Sequence, residues 1–244
     1  MSINITITLR LTHTLFWRLF LYFLYNSVSL TQKSSYDHSL LFILDMKRFP
    51  QDFQAFISNK VPEVDYLQRV LDRDSDIALL APHAGGIEPG TGKLAKSISG
   101  NDLSYYIFEG IQYTNNCELH LPSTQFNDPL CLNLLQTTKV AVSIHGCSFP
   151  EEAVFVGGLN TPFIIRILEQ LNTNGFCASR DQTDHSGKDP SNICNLCESN
   201  KGVQLELSRP LRKSFFRSLD RPGREHPTVA FNEFVIAIRN ALLG

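Results

Sequence analysis

The chain has 244 residues, 43% of them hydrophobic and 19% charged, with a formal net charge of −2. That length suits one large domain, or a domain with an appendage, and that composition reads as a soluble, globular chain. A nearly neutral charge offers no overall attraction for nucleic acid, while leaving room for a local basic patch.

Residues 1–45 differ from the rest. The stretch "TLFWRLFLYFLY" (14–25) is apolar but short and broken by Arg18, whereas a bilayer span needs about 20 apolar residues. It reads as a poor signal-peptide core, with Arg10 before it and Ser27 to Ser29 after it. The alternative is an over-extended start, disordered or weakly helical, ahead of a natural beginning at Met46 in "MKRFPQDFQAF". The working domain is therefore expected over 46–244. Its expected location is cytoplasmic, or secreted if residues 1–45 act as a signal peptide.

"FPQDFQAFISNK" suggests a short amphipathic helix, followed by a polar connection to Asp76. Ile77 to Ala81, Tyr105 to Phe108, Glu118 to Leu121, Val140 to Ile144 and Ala153 to Val156 read as strands from apolar content and flanking turns. Gly92 to Ser99 and Asp128 to Thr138 have helical character. "NTPFIIRILEQLN" (160–172) opens with a cap and an early proline, so it predicts a helix. Residues 181–200 are polar and turn-rich, which suits a long functional loop. "GVQLELS" is a strand, and Phe231, Phe234, Val235, Ile238 and Leu242 form one stripe of a C-terminal helix. Strands mingled with helices predict an α/β fold with a mixed central sheet.

The six cysteines are scattered, unlike a disulfide framework. Cys194 and Cys197 have metal-ligand spacing but lack the second pair that a structural zinc needs, so they read as ordinary thiols.

Three strands present ionisable residues: "IALLAPH" delivers His83, "KVAVSIHG" delivers His145, and "GVQLELS" places Glu206 opposite its apolar set. Ligands of open α/β sheets bind beyond the carboxyl ends of strands, where neighbouring strands bring such groups together. The glycine loop after His83 can fold the Glu88 carboxylate back toward the ring. His83, Glu88 and His145 then make a two-histidine, one-carboxylate zinc set, with Glu206 as general base. Each residue taken alone also has a plain structural reading: a hydrogen-bonded strand-end histidine, an exposed turn glutamate, a carboxylate on a solvated sheet face.

"APHAGGIEPGTGKLA", "YYIFEG", "LHLPSTQFNDP", "VSIHGC", "VFVGGLN" and "GVQLELSRPLR" occur in this order. Together they resemble the poly-γ-glutamate hydrolase family of bacteriophages and their hosts, over roughly residues 50 to 242. The resemblance implies a zinc-carboxypeptidase-like fold, with a mixed central sheet flanked by helices, and endolytic cleavage of γ-amide links. It places His83, Glu88 and His145 on the zinc ligands and Glu206 on the catalytic glutamate. The His-to-Glu spacing is longer than the HxxE of true carboxypeptidases.

Arg209, Arg212, Lys213, Arg217, Arg221 and Arg224 crowd together just after Glu206. A polymer bearing one carboxylate per residue calls for cations, so Arg209 and Arg212 are expected to contact substrate, against a reading of the run as solvated surface. Glu109 is a candidate to orient a ligand imidazole. The expected activity is a zinc-dependent amidohydrolase acting on poly-γ-glutamate as a monomer, with no nucleic acid or membrane partner. The rivals are a zinc amidohydrolase of small N-acyl amino acids and a non-catalytic, phage-related nucleic-acid-binding protein, for which no helix-turn-helix signal is found.

Overall fold

The structure is a computed structural model that describes residues 52–183 and 186–244. The expected leader over 1–45 and the start at Met46 lie outside the described residues.

A short helix, α1 (Asp52–Ile57), leads into β1 (Tyr66–Leu71), β2 (Ile77–Gly85), α2 (Thr91–Ser99) and β3 (Ser104–Gly110). Helix α3 (Pro129–Leu135), β4 (Val140–Cys147), β5 (Val154–Gly158), α4 (Thr161–Thr173) and β6 (Ala178–Arg180) follow. The chain closes with β7 (Val203–Ser208), α5 (Arg209–Ser214) and α6 (Val229–Leu243). The seven strands form one mixed sheet in the order β1-β3-β2-β4-β7-β5-β6. Its centre, β3-β2-β4-β7, is parallel, whereas β1 runs antiparallel to β3 and β5 antiparallel to β7. Among the described residues no helix is long and apolar enough to cross a membrane.

Alternation along the strands builds two cores. On one face Leu79, Ala81, Val142, Ile144, Val203, Leu205 and Leu207 pack against α2, α4 and α6. On the other, Ala78, Leu80, Tyr106, Phe108 and Ala141 meet Phe53 of α1, Leu134 and Leu135 of α3, and loop residues including Phe126. The helices begin where the sequence provides caps: Asn160 accepts from Phe163 N, Asp128 from Leu130 N, and Ser208 from Leu211 N.

The carboxyl end of β2 departs from regular pairing. Between Ala81 and Ala84 the β2–β3 register shifts: Ala81 pairs with Ile107, but Ala84 pairs with Glu109. Strand β2 thus carries one extra residue at Pro82-His83, a β-bulge, and proline suits it because it has no N–H to give a ladder. Ala81 and Ala84 both lie in the helix-covered core with Leu79. Unbroken alternation would have sent His83 to that same side. The bulge delivers it to the opposite face, against Phe126.

Two expectations are corrected. Glu118 to Leu121 is no strand: Asn116–Leu119 is a 3-10 turn preceded by Asn115 at φ 62°. Leu119 and Leu121 mimic strand alternation because both plug the second core. The connection before Asp76 contains β1, an edge strand whose later residues are exposed, so its sequence lacks an apolar rhythm.

Gly85 ends β2 at φ 74°, and a Cβ there would stand 2.3 Å from Gly110 O. Gly85→Ala combines a left-handed backbone with a backbone clash. We expect destabilisation beyond the roughly 1–2 kcal/mol that left-handed geometry alone costs, read as a lower urea midpoint with an unchanged slope.

Candidate active site

His83, Glu88, His145 and Glu206 line one cavity of about 810 Å³ at the carboxyl ends of β2, β4 and β7. His145 and Glu206 are direct register partners in the parallel β4–β7 pair, so their side chains leave the same face side by side. The bulge brings His83 to them from β2. Glu88 arrives by a turn: Gly86 N donates to Gly110 O at 2.8 Å, and Glu88 N donates to His83 O at 2.8 Å.

The donor atoms converge. His83 Nδ1 lies 3.1 Å from His145 Nδ1 and 3.3 Å from Glu88 Oε1, and His145 Nδ1 lies 3.7 Å from Glu88 Oε2. The tautomers follow from the partners of the other ring nitrogens. His83 Nε2 is 2.7 Å from the Leu121 carbonyl, which only accepts, so Nε2 carries the proton and Nδ1 a lone pair. His145 Nε2 is 2.6 Å from Ser143 Oγ, and with Nε2–H donating to that hydroxyl its Nδ1 is also a lone pair. Burial keeps His145 neutral, pushing its pKa down to about 3. Two lone-pair nitrogens and a carboxylate facing one another repel unless a cation sits between them.

The spacing fits such an ion. A tetrahedral metal with nitrogen and oxygen donors at about 2.0–2.1 Å holds them about 3.3–3.4 Å apart, and the observed separations lie near that value, with His83 facing Oε1 and His145 facing Oε2 of the Glu88 carboxylate. His83, Glu88 and His120 also offer ligand atoms that all lie within 4.8 Å of one another.

The carboxyl groups differ in character. Burial opposes ionisation of Glu88, but the His120 contact above all outweighs it and holds the carboxyl well below the usual range. It also accepts from Gly146 N at 2.9 Å. Glu206 is pushed up to about 8, by burial first and then by the neighbouring charges of Glu88 and Asp181. Gln204 Nε2 donates to Glu206 Oε1 at 3.0 Å, and Asn192 Nδ2 in turn donates to Gln204 Oε1 at 2.9 Å, which fixes the carboxyl's orientation.

The basic run is placed differently from expectation. Arg212 is 4% exposed, and its guanidinium donates to Leu207 O (3.2 Å), Pro89 O (2.9 Å) and Cys147 O (3.5 Å). A buried cation already satisfied by three carbonyls is a brace between strand ends, not a surface hand for substrate. It lies flat on Gly146, where an added Cβ would meet the guanidinium carbon at 2.4 Å. Arg209 is exposed on α5 and does not line the cavity. Among the described lining residues Lys188 is the one lysine or arginine, set against Glu88, Asp181, Asp189 and Glu206. Glu109 pairs with Arg69 at 3.0 Å and holds no imidazole; Leu121 O and Ser143 hold the rings instead. Cys194 and Cys197 are buried thiols in the packing, and burial pushes the Cys194 thiol up.

Sequence reasoning missed His120, which stacks on His83 with ring centroids 4.0 Å apart and sets Nε2 3.4 Å from Glu88 Oε1. The available signal was its place in "LHLPSTQFNDP", but reading that stretch as a strand hid it. Lys188 and Asp181 were overlooked because a polar loop gives no rhythm from which to tell an inward residue from an outward one.

Residues 51–237 match the family model described as poly-gamma-glutamate hydrolase. The chain is 34% identical over 175 residues to the SPbeta prophage-derived UPF0714 protein YoqZ of Bacillus subtilis (strain 168), covering 71% of this chain and 63% of that protein. It is 33% identical over 168 residues to UPF0714 protein YndL of the same organism, covering 68% of this chain and 66% of that one. The chain thus spans slightly less than two thirds of the length of either curated relative. Among solved structures, a bacteriophage poly-gamma-glutamate hydrolase superposes with a TM-score of 0.76 at 34% identity, covering 78% of this chain and 94% of that one. A zinc-free apo form of YndL superposes with a TM-score of 0.73 at 31% identity, covering 76% and 93%. Matched in sequence across its described domain and in fold at the same level of identity, the chain belongs to the poly-gamma-glutamate hydrolase family.

Proposed function

We propose that this chain is a zinc-dependent amidohydrolase that cleaves γ-glutamyl amide links within poly-γ-glutamate. The observation that carries the reading is the convergence of His83 Nδ1, His145 Nδ1 and Glu88 at tetrahedral spacing, with Glu206 on the adjoining strand. His83, Glu88 and His145 are the ligands. Two imidazoles and one carboxylate favour zinc over harder ions and leave a fourth position open. A zinc ion held there lowers the pKa of a water toward about 7 and polarises the amide carbonyl.

The protein's own groups do the rest. Glu206 takes a proton from the attacking water as its oxygen bonds to the amide carbon. When the C–N bond breaks, Glu206 returns that proton to the leaving nitrogen. A carboxyl held as high as about 8 is a good base once a nearby cation ionises it. Ser143 and Leu121 O keep the two ligand rings turned inward. Support for cleavage within a chain comes from the cavity's extent, since Pro122, Ser123, Phe149 and Phe155 line it together with the donor residues. Lys188 is its cationic contact for a substrate carboxylate, with Arg209 outside the cleft available to a longer polymer.

His83→Ala is expected to lose both zinc and activity. Glu206→Gln keeps zinc by elemental analysis while turnover falls by about 10²–10⁴-fold, the usual worth of a general base. Zinc lost from Glu206→Gln would make Glu206 a ligand, and full activity would remove it from the mechanism. Running poly-γ-glutamate beside small N-acyl-glutamates separates the polymer reading from its small-substrate rival.

The raised carboxyl also makes metal-free stability depend on pH. Glu206 moves from 4.5 to about 8 on folding, so it adds stability that is complete below pH 4.5 and is lost as pH rises toward 8. In chelator-treated protein, the Tm of Glu206→Gln relative to wild type should therefore climb between pH 5 and pH 9. A difference flat across that range would contradict the burial argument.

A further inference from the structure

We propose that His120 is a further catalytic residue, donating its Nε2–H to the oxyanion that forms as water adds to the amide carbonyl. The inference rests on the amidohydrolase reading of the same site. Three observations carry it. The first is chemical: Nε2 faces the acceptor Glu88 Oε1 at 3.4 Å, and, unlike the proton of His83, which the Leu121 carbonyl holds on the far ring nitrogen, a proton on His120 Nε2 points into the centre. At that distance the contact is loose, and the donor is available to a better acceptor.

The second is position. His83 and His145 side chains are 2% and 3% exposed, whereas His120 is 46% exposed and lines the cavity. It reaches the centre from the loop after β3, stacked over His83 on β2. Glu206 reaches it from β7, with β4 between them. The base and the donor therefore flank the donor group from opposite sides. A carbonyl attacked by water on the Glu206 side turns its oxygen toward His120.

The third is the surrounding chemistry. Arg212 is committed to three backbone carbonyls, and Lys188 is the one lysine or arginine among the described lining residues. His120 lines the cavity beside Glu88, whereas Leu121 O and Ser143 hold the outer ring nitrogens of His83 and His145. Donors aimed at a developing oxyanion are worth about 10²–10³-fold in kcat each.

The test uses the zinc-loaded full chain with His120→Ala and His120→Gln. Zinc affinity is measured by chelator competition, kcat and KM on poly-γ-glutamate, and Kd for a γ-glutamyl phosphinate whose tetrahedral oxygens imitate the oxyanion. We expect His120→Ala to keep zinc affinity and KM within about threefold, lower kcat by about 10²–10³-fold, and weaken phosphinate binding by a similar factor. His120→Gln, which retains an N–H donor of similar reach, should recover part of both losses. A zinc Kd raised in step with lost activity makes His120 a ligand and overturns the proposal, as do an unchanged kcat or an unchanged phosphinate Kd. Should the wild type hold zinc yet cleave no γ-glutamyl amide, the amidohydrolase reading fails separately, and phosphinate binding still decides the role of His120.

Discussion

One extra residue in a central strand decides whether this protein has a site at all. A β-strand alternates its side chains strictly, so the face on which a residue appears depends on whether its distance from a reference is odd or even. Leu79 and Ala81 set that count for β2 toward the helix-covered core, and Ala84 returns to it after the register shift. Only the inserted step at Pro82-His83 lets the imidazole join His145 and Glu206, which leave β4 and β7 in matching register. The packing of the strand and the chemistry of its end are thereby separated. The oily residues obey the core, and the bulge re-aims the histidine without disturbing them.

The groups that meet there oppose one another in isolation. Lone pairs of two buried imidazoles face a carboxylate, and a second carboxyl stands beside them with its proton held tightly. A cation relieves every one of these tensions at once, since it accepts the lone pairs and offsets the neighbouring negative charges. The same groups without it are a store of unfavourable contacts, as preorganised sites commonly are.

Much of this was legible in the sequence, for identifiable reasons. His83, His145 and Glu206 each follow an apolar run, and such runs report a strand whatever its neighbours are. The glycines before Glu88 report a turn for the same local reason. What could not be read was anything that depends on a partner distant in sequence. The register shift is defined against β3, so nothing in "LLAPHAGG" alone shows it. Leu119 and Leu121 alternate because they fill a core, and that rhythm is indistinguishable from a strand's. Arg212 looked like one charge among six; only the fold shows that Pro89, Cys147 and Leu207 surround it with carbonyls. The edge strand β1 has one outward face and almost no signal.

The contact between Arg212 and Gly146 has a consequence for how the sequence can drift. The guanidinium occupies the space a side chain at position 146 would need. Even a methyl group there must push Arg212 away from three carbonyls that it crosslinks, at the ends of β4 and β7 and in the turn carrying Glu88. Conversely, a shorter residue at 212 leaves those carbonyls without their donor and opens a gap over bare backbone, which a lysine with a single nitrogen cannot span. The two positions behave as one heritable unit. A change at either position disturbs the fit of the other, so a larger residue at 146 calls for a compensating change at 212.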